Sequence, residues 1–446
     1  MMGRCSLSDI HHRICLSRRC LWIGIISLIL PSAILAGEVN LYLPKYRLQP
    51  NELAVVVNDR DPLSVRIGEY YMQARGLPEG NLIHLSFDPH AKSIPATGFK
   101  SIRDELLQKT PASIQAYALT WRTPYRVGCM SITSAITFGF DKSWCSSQLC
   151  ATTRHSPYFN YSGADPLKDL SLRPSITVAA ENFTAAKQLI DRGLLADSTL
   201  PQGTAYLLST SDKQRNVRAI EFPHILKRMR GWIDTEILRR DSLRQRNDVL
   251  FYFTGRSRVA GLETLKFRPG AIADHLTSAG GQLSESQQMS AMEWLKAGAS
   301  GSYGTVVEPC NHRGKFPSPL LVMEHYASGS TLIEAYWKSV QQPGEGIFIG
   351  DPLAAPFDHL EITHEARQTK LRTQNLKPGS YRLSHAPSPI GPFNKIVDLV
   401  VSYHQKTFTL PRLGDGYYRL QRLEKMRPDP STLIPVQRVS GEPSTE

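Results

Sequence analysis

Val249-Leu250-Phe251-Tyr252-Phe253-Thr254 runs without a charged residue into Gly255-Arg256-Ser257-Arg258. A short continuous apolar run bounded by turn residues is what a strand buried on both faces requires. The pattern recurs at Leu53–Asn58, Leu82–Phe87, Ile114–Trp121, Ser175–Ala179, Thr204–Ser209 and Gly301–Val307. Stretches of helical period separate these runs. In one of them Leu63, Ile67, Tyr70, Tyr71 and Ala74 share a face that ends at Gly76 and Pro78. Further helices are expected near Ile102–Lys109, Phe183–Asp191, Val217–Arg240, Met289–Ala297, Leu320–Ala327 and Leu332–Val340. Alternating strands and helices predict an α/β unit over residues 50–357, a mostly parallel sheet flanked by helices, built as one body or as two adjacent subdomains.

Outside that unit the texture changes. Short β-type runs at Leu371–Leu376, Tyr381–Ser384, Ile396–Tyr403, Thr407–Leu410 and Tyr417–Leu423 predict a small all-β, sandwich-like domain over 358–426. Residues 427–446, rich in Pro, Ser and charge, read as a loose tail. At the other end, Arg4, Arg13, Arg18 and Arg19 precede the apolar run Leu21–Leu30, and small residues lead to Ala36. That is the layout of a signal peptide over 1–36, and it predicts a periplasmic or secreted protein. Membrane contact is expected only if this segment stays attached.

Composition is that of an ordinary globular chain. Of 446 residues, 41% are hydrophobic and 21% charged, which argues against disordered, collagen-like and polytopic membrane classes. The net charge of +12 is spread thinly, with clusters at Lys227–Arg230 and Arg239–Arg246. It favours acidic partners, such as an envelope protein or an acidic polysaccharide, and no nucleic acid is expected.

Ligands of doubly wound sheets bind beyond the carboxyl ends of the strands. Trp121, Arg122 and Arg126 follow one strand and suit an anion or a sugar ring, or else an exposed loop packed on the sheet. Arg256 and Arg258 follow another and suit an anion or a solvated basic turn. Asp274-His275, expected on a helix after Pro269-Gly270, gives an imidazole with Ser278 nearby. Glu308, Cys310 and His312 emerge at the end of the small-residue strand 301–307, where a thiolate beside an imidazole would be a nucleophile. The competing reading is disulfides. Once the signal peptide is removed Cys129, Cys145, Cys150 and Cys310 remain, and the expected bridges are Cys145–Cys150 and Cys129–Cys310. Cys145 and Cys150 also have the spacing of half a metal site, but no second ligand pair stands beside them. There is no P-loop, dinucleotide fingerprint or zinc helix, so no metal or cofactor is expected.

The segments Gly298-Ala299-Ser300-Gly301-Ser302-Tyr303-Gly304-Thr305-Val306-Val307-Glu308-Pro309, Gly329–Trp337 and Gly350-Asp351-Pro352-Leu353 resemble an uncharacterised family of exported bacterial proteins. That family is known from genomes carrying the exosortase protein-sorting system. Val57-Asn58, Ser64, Glu69-Tyr70-Tyr71 and Leu119–Pro124 fit it too. More distantly, the chain resembles the gingipain-type cysteine peptidases, which implies a caspase-like fold. In that resemblance Phe251–Arg256 takes the place of the strand ending in Gly-His, so Arg256 stands where the base would be. Thr277-Ser278-Ala279-Gly280-Gly281 lies where the nucleophilic cysteine would be. An arginine stays protonated and a serine without a base is a poor nucleophile. The resemblance therefore implies a pseudo-peptidase that binds or scaffolds, with Trp121, Arg122, Arg126, Arg256, Arg258 and Glu308 as binding residues. The alternative is a cysteine hydrolase that pairs Cys310 with His275 or His312.

Overall fold

A computed structural model describes residues 39–146, 150–402 and 405–423. The expected signal peptide and the C-terminal tail lie outside them. The strands are β1 (Val39–Tyr42), β2 (Leu53–Asn58), β3 (Leu82–Leu85), β4 (Ser93–Ile94), β5 (Ala116–Leu119), β6 (Arg126–Val127), β7 (Met130–Ser131), β8 (Ser175–Thr177), β9 (Thr204–Ser209) and β10 (Asp234–Arg239). They continue as β11 (Val249–Thr254), β12 (Phe267–His275), β13 (Gly301–Thr305), β14 (Gly346–Gly350), β15 (Leu360–His364), β16 (Gln368–Thr373), β17 (Gly379–Ala386), β18 (Asn394–Val401), β19 (Thr407–Pro411) and β20 (Gly416–Arg422). The helices are α1 (Pro62–Arg75), α2 (Ala96–Lys109), α3 (Ile132–Phe138), α4 (Pro166–Leu170), α5 (Phe183–Ala196), α6 (Phe222–Met229), α7 (Met292–Ala297), α8 (Pro319–Ala327) and α9 (Leu332–Trp337).

Ten strands form one sheet in the order β10-β9-β11-β12-β13-β14-β8-β5-β2-β3. Strands β10, β9, β11, β12 and β13 are parallel to their neighbours, as are β14, β8, β5, β2 and β3. The junction of β13 with β14 is antiparallel, pairing Gly301 with Gly350 and Thr305 with Gly346. The sheet is thus two parallel runs pointing in opposite directions. Numbered along the chain from β9, the run ending at β14 has the order 2-1-3-4-5-6 with its last strand reversed.

Local chemistry explains the elements. Helix α1 begins at Asp61, whose carboxylate accepts the Leu63 N–H, has Pro62 in its first turn, and stops at Gly76 in the left-handed region. Its Ile67 and Tyr71 are buried against the sheet, as their spacing predicts. Every residue of β2 and of β11 is buried, which is why these strands read as unbroken apolar runs. Removing a large side chain such as Phe251 or Phe253 from water contributes about 1.5–3 kcal/mol.

Three expectations change. The helix expected over Val217–Arg240 is a short 3-10 turn at Asn216–Glu221, then α6, then strand β10. Its many charges suited a helix face, but β10 lies at the outer edge of the sheet, where alternate residues meet solvent. Asp274 and His275 are not on a helix; they are the last residues of β12, and both are buried. Finally, β14 was not anticipated. Its Gly-Ile-Phe-Ile-Gly sequence is short and bounded by glycines, and only its pairing with β13 and β8 makes it a strand.

The C-terminal strands form two small sheets, β1-β20-β17-β18 and β15-β16-β19. They share one apolar core that includes Leu371, Tyr381, Leu383, Phe408 and Leu420. Strand β1 pairs in parallel with β20, so a segment preceding the α/β unit completes this region.

Candidate functional site at the ends of β11 and β12

The elements reach the candidate residues in chain order. After Thr254, β11 turns at Gly255. A Cβ there would lie 1.9 Å from the Arg215 carbonyl oxygen, so only glycine lets the loop after β9 cross this strand end. Arg256 follows and is already engaged. Its Nη1 lies 2.8 Å from Asp241 Oδ2 and 3.2 Å from Ser211 Oγ. Asp241 also accepts the Ser211 N–H and hydroxyl, each at 2.7 Å. Those two bonds, with the guanidinium, hold its carboxyl below the usual range.

At the end of β12 two buried polar residues point to opposite partners. Asp274 faces Arg218, whose Nη2 is 2.6 Å from Oδ1. The same guanidinium donates to the carbonyls of Thr254 at 2.8 Å and Pro317 at 3.1 Å, so the carboxylate is held by charge more than by an aligned hydrogen bond. Burial pushes the Asp274 carboxyl up, against the pull of Arg218. His275 accepts the Trp294 indole N–H at Nδ1, 2.9 Å away, so its proton is on Nε2, which donates to the Met289 carbonyl at 3.1 Å. Burial brings its pKa down to about 4. The imidazole is a neutral brace inside the sheet layer, and its proton is directed at a carbonyl.

This makes a pH prediction. His275 has a folded pKa below the unfolded value, so its contribution is present above about pH 6.5 and is lost as pH falls toward about 4, by roughly 3 kcal/mol. Urea midpoints measured across that window should fall more steeply for the native chain than for His275→Gln. Parallel curves would mean that the ring protonates freely in the folded protein.

Beyond His275, Thr277 and Ser278 open into a cavity of about 340 Å³ shared with Arg215, Glu308 and the Cys150–Cys310 bridge. Thr277 Oγ1 donates to Gln288 Oε1 at 2.6 Å and accepts from Arg215 Nε at 3.2 Å. The Thr305 hydroxyl lies 3.1 Å from the carbonyls of both Thr277 and Ser278. Gly304 permits this approach, because a Cβ there would be 2.3 Å from the Gly280 carbonyl carbon. Among the described residues no histidine lines the cavity.

The cysteines correct the sequence reading. The bridges are Cys129–Cys145 and Cys150–Cys310, not Cys145–Cys150 and Cys129–Cys310. The folded chain sets Cys150 over the loop after β13, 160 residues away, and leaves Cys145 facing Cys129. Cys310 is therefore not a free thiol. Its N–H donates to Glu308 Oε1 at 2.7 Å, and His312 Nε2 lies 2.6 Å from the Cys150 carbonyl. Neither Cys310 with His275 nor Cys310 with His312 forms a nucleophile and base. Two disulfides fit an oxidising, extracytoplasmic compartment.

The other predicted binding residues scatter. Trp121 is buried, packs edge-on against Phe87 and donates its indole N–H to the Pro124 carbonyl, so it is core and not a ligand platform. Arg126 sits on β6, half-buried, in the small sheet with β4 and β7. Arg122 and Arg258 do come together, with Arg244, along a cleft of about 650 Å³ that also holds Glu181, Glu263 and Glu293. Arg258 is tied to the Gln287 carbonyl at 2.7 Å. Sequence reasoning missed Arg215, whose Nε reaches Thr277 Oγ1, and Arg218, which faces Asp274 and which it placed inside a long helix.

Among the described residues no helix is long and apolar enough to cross a membrane, and no three His, Cys, Asp or Glu side chains are grouped to hold a metal ion. In comparisons with known proteins, neither a family model, nor a curated protein, nor a solved structure matches the chain.

Proposed function

We propose that the chain is a periplasmic or secreted, caspase-like pseudo-peptidase, a protein of the bacterial envelope that binds or scaffolds and does not cleave. One observation carries the reading: at the two strand ends where a caspase-like fold keeps its base and nucleophile, this chain holds Arg256, committed to Asp241, and Thr277-Ser278. The strand order 2-1-3-4-5-6 with a reversed last strand supports the fold. The cavity around Ser278 and the arginine-bearing cleft along Arg122 and Arg258 remain as binding surfaces for an envelope protein or an acidic polysaccharide.

The test is the thiol state of the exported protein, read by mass spectrometry after alkylation without reductant. The expected result is a Cys150–Cys310 peptide pair, a Cys129–Cys145 pair and no turnover of peptide or ester substrates. A rapidly alkylated Cys310, with hydrolysis abolished by Cys310→Ala, would replace this reading with the cysteine hydrolase.

A further inference from the structure

Another cavity, of about 230 Å³, opens where the loop before α4, helix α8 and the C-terminal strands meet. Its walls include Asn160, Trp232, Glu324, Ser328, Lys377 and Arg422, with His325 beside Asn160. None of them lies on the loops carrying Arg256 and Ser278, so what binds here is independent of the pseudo-peptidase reading.

The charges around this cavity do not balance. Glu324 is paired with Arg228, and the buried Glu334 is paired with Lys338, whose Nζ is 3.3 Å from Oε1. Lys377 and Arg422 have only carbonyl partners among the described residues: Lys377 donates to Ser162, and Arg422 donates to Pro378 at 2.9 Å. Lys338 and Arg422 both repel Lys377, and Glu334 attracts it. Burial, with that repulsion, brings the Lys377 ammonium down to about 7. His325 is driven well down by burial and by Lys338 and Lys377, so it is neutral and bonds Asn160 Oδ1 at 3.2 Å. Among the described residues neither Lys377 nor Arg422 is bonded to a carboxylate, and Glu324, the carboxylate that lines this cavity, is taken by Arg228, so an anion held between the two cations is stabilised.

The remaining walls narrow the class. Asn160 and Ser328 offer amide and hydroxyl groups, and Trp232 adds an aromatic surface. The volume is below the roughly 300–1,000 Å³ of sites for drug-sized ligands, so the occupant is one small molecule or one residue of a chain. We propose that this cavity binds a hydroxylated oxyanion, a sugar carboxylate or sugar phosphate, with its charged group between Lys377 and Arg422 and its hydroxyls on Asn160 and Ser328.

Titration calorimetry of the full chain with glucuronate, a hexose phosphate, inorganic phosphate and glucose tests it. At least one anionic sugar should bind, glucose should not, and Lys377→Met should weaken binding by about tenfold or more. Which anionic sugar binds identifies carboxylate or phosphate as the recognised group. Affinity should fall by roughly ten- to thirtyfold between about pH 6 and about pH 8.5, as Lys377 loses its proton. Lys377→Arg should keep binding and lose that pH dependence, since arginine stays charged. Inorganic phosphate binding as tightly as the sugars would overturn the role of Asn160 and Ser328. No anion bound at about 10 mM, or equal affinity in Lys377→Met, would overturn the site itself.

Discussion

The Glu345→Gln protein should be less stable than the native chain by about 3–5 kcal/mol, because the change leaves Lys315 buried without a counter-charge. Lys315 Nζ lies 3.1 and 2.9 Å from the two Glu345 carboxylate oxygens, and both side chains are shut off from solvent. The same carboxylate accepts the Ser146 N–H at 2.7 Å, and the Glu345 carbonyl accepts the Val306 N–H at 2.9 Å. The pair therefore fastens β14 to the segment before Cys150 and to the loop that carries Cys310. Equilibrium urea unfolding should show a lower midpoint with an unchanged slope. The double variant Lys315→Met with Glu345→Leu should recover most of the loss, because a buried pair exchanged whole for apolar groups is near neutral while a broken one is not. If the single variant matches the native midpoint, water reaches Lys315 and the pair is not the fastening described.

A second large effect is expected at Arg218, and it should depend on pH. Arg218→Met removes the cation facing Asp274 and leaves a buried carboxyl at the end of β12. Burial already pushes that carboxyl up, and Arg218 is what draws it down. Without the guanidinium its folded pKa rises further above the unfolded value of about 3.9. For a group raised in this way, the penalty is absent below the unfolded pKa and grows as pH rises toward the folded one. The cost of Arg218→Met should reach about 3–5 kcal/mol near pH 8 and be visibly smaller near pH 5. Urea midpoints of the native and variant chains at the two pH values give the comparison. An equal loss at both would place the penalty in the bonds to Thr254 and Pro317 and not in the charge of Asp274.

How much of this was legible beforehand follows from the range of the interactions involved. Period and turn chemistry act over a few residues, so the strands at Leu53–Asn58, Thr204–Ser209 and Val249–Thr254 were read to the residue. Helix α1 was legible in its apolar face and in Gly76, and the late β-rich region in its turns. Strand β10 was not, because an edge strand with charges on alternate residues is locally a plausible helix. For the candidate site, the sequence located the loop after Thr254; it read Asp274-His275 as helical, so β12 and the loop beyond His275 came only with the structure.

The sequence by itself determined an α/β order of elements followed by β structure, and it put Arg256 just past a strand end. Those features rest on apolar periodicity and on glycine and proline at turns, which are properties of neighbours in the chain. Tertiary structure alone decided which cysteines meet, that β14 enters the sheet reversed, and that His275 is a buried neutral brace. It also decided that Trp121 is core and that Lys377 and Arg422 share a cavity. Each of these depends on partners far apart in sequence and on exclusion of water, and both come into being only when the sheet has closed.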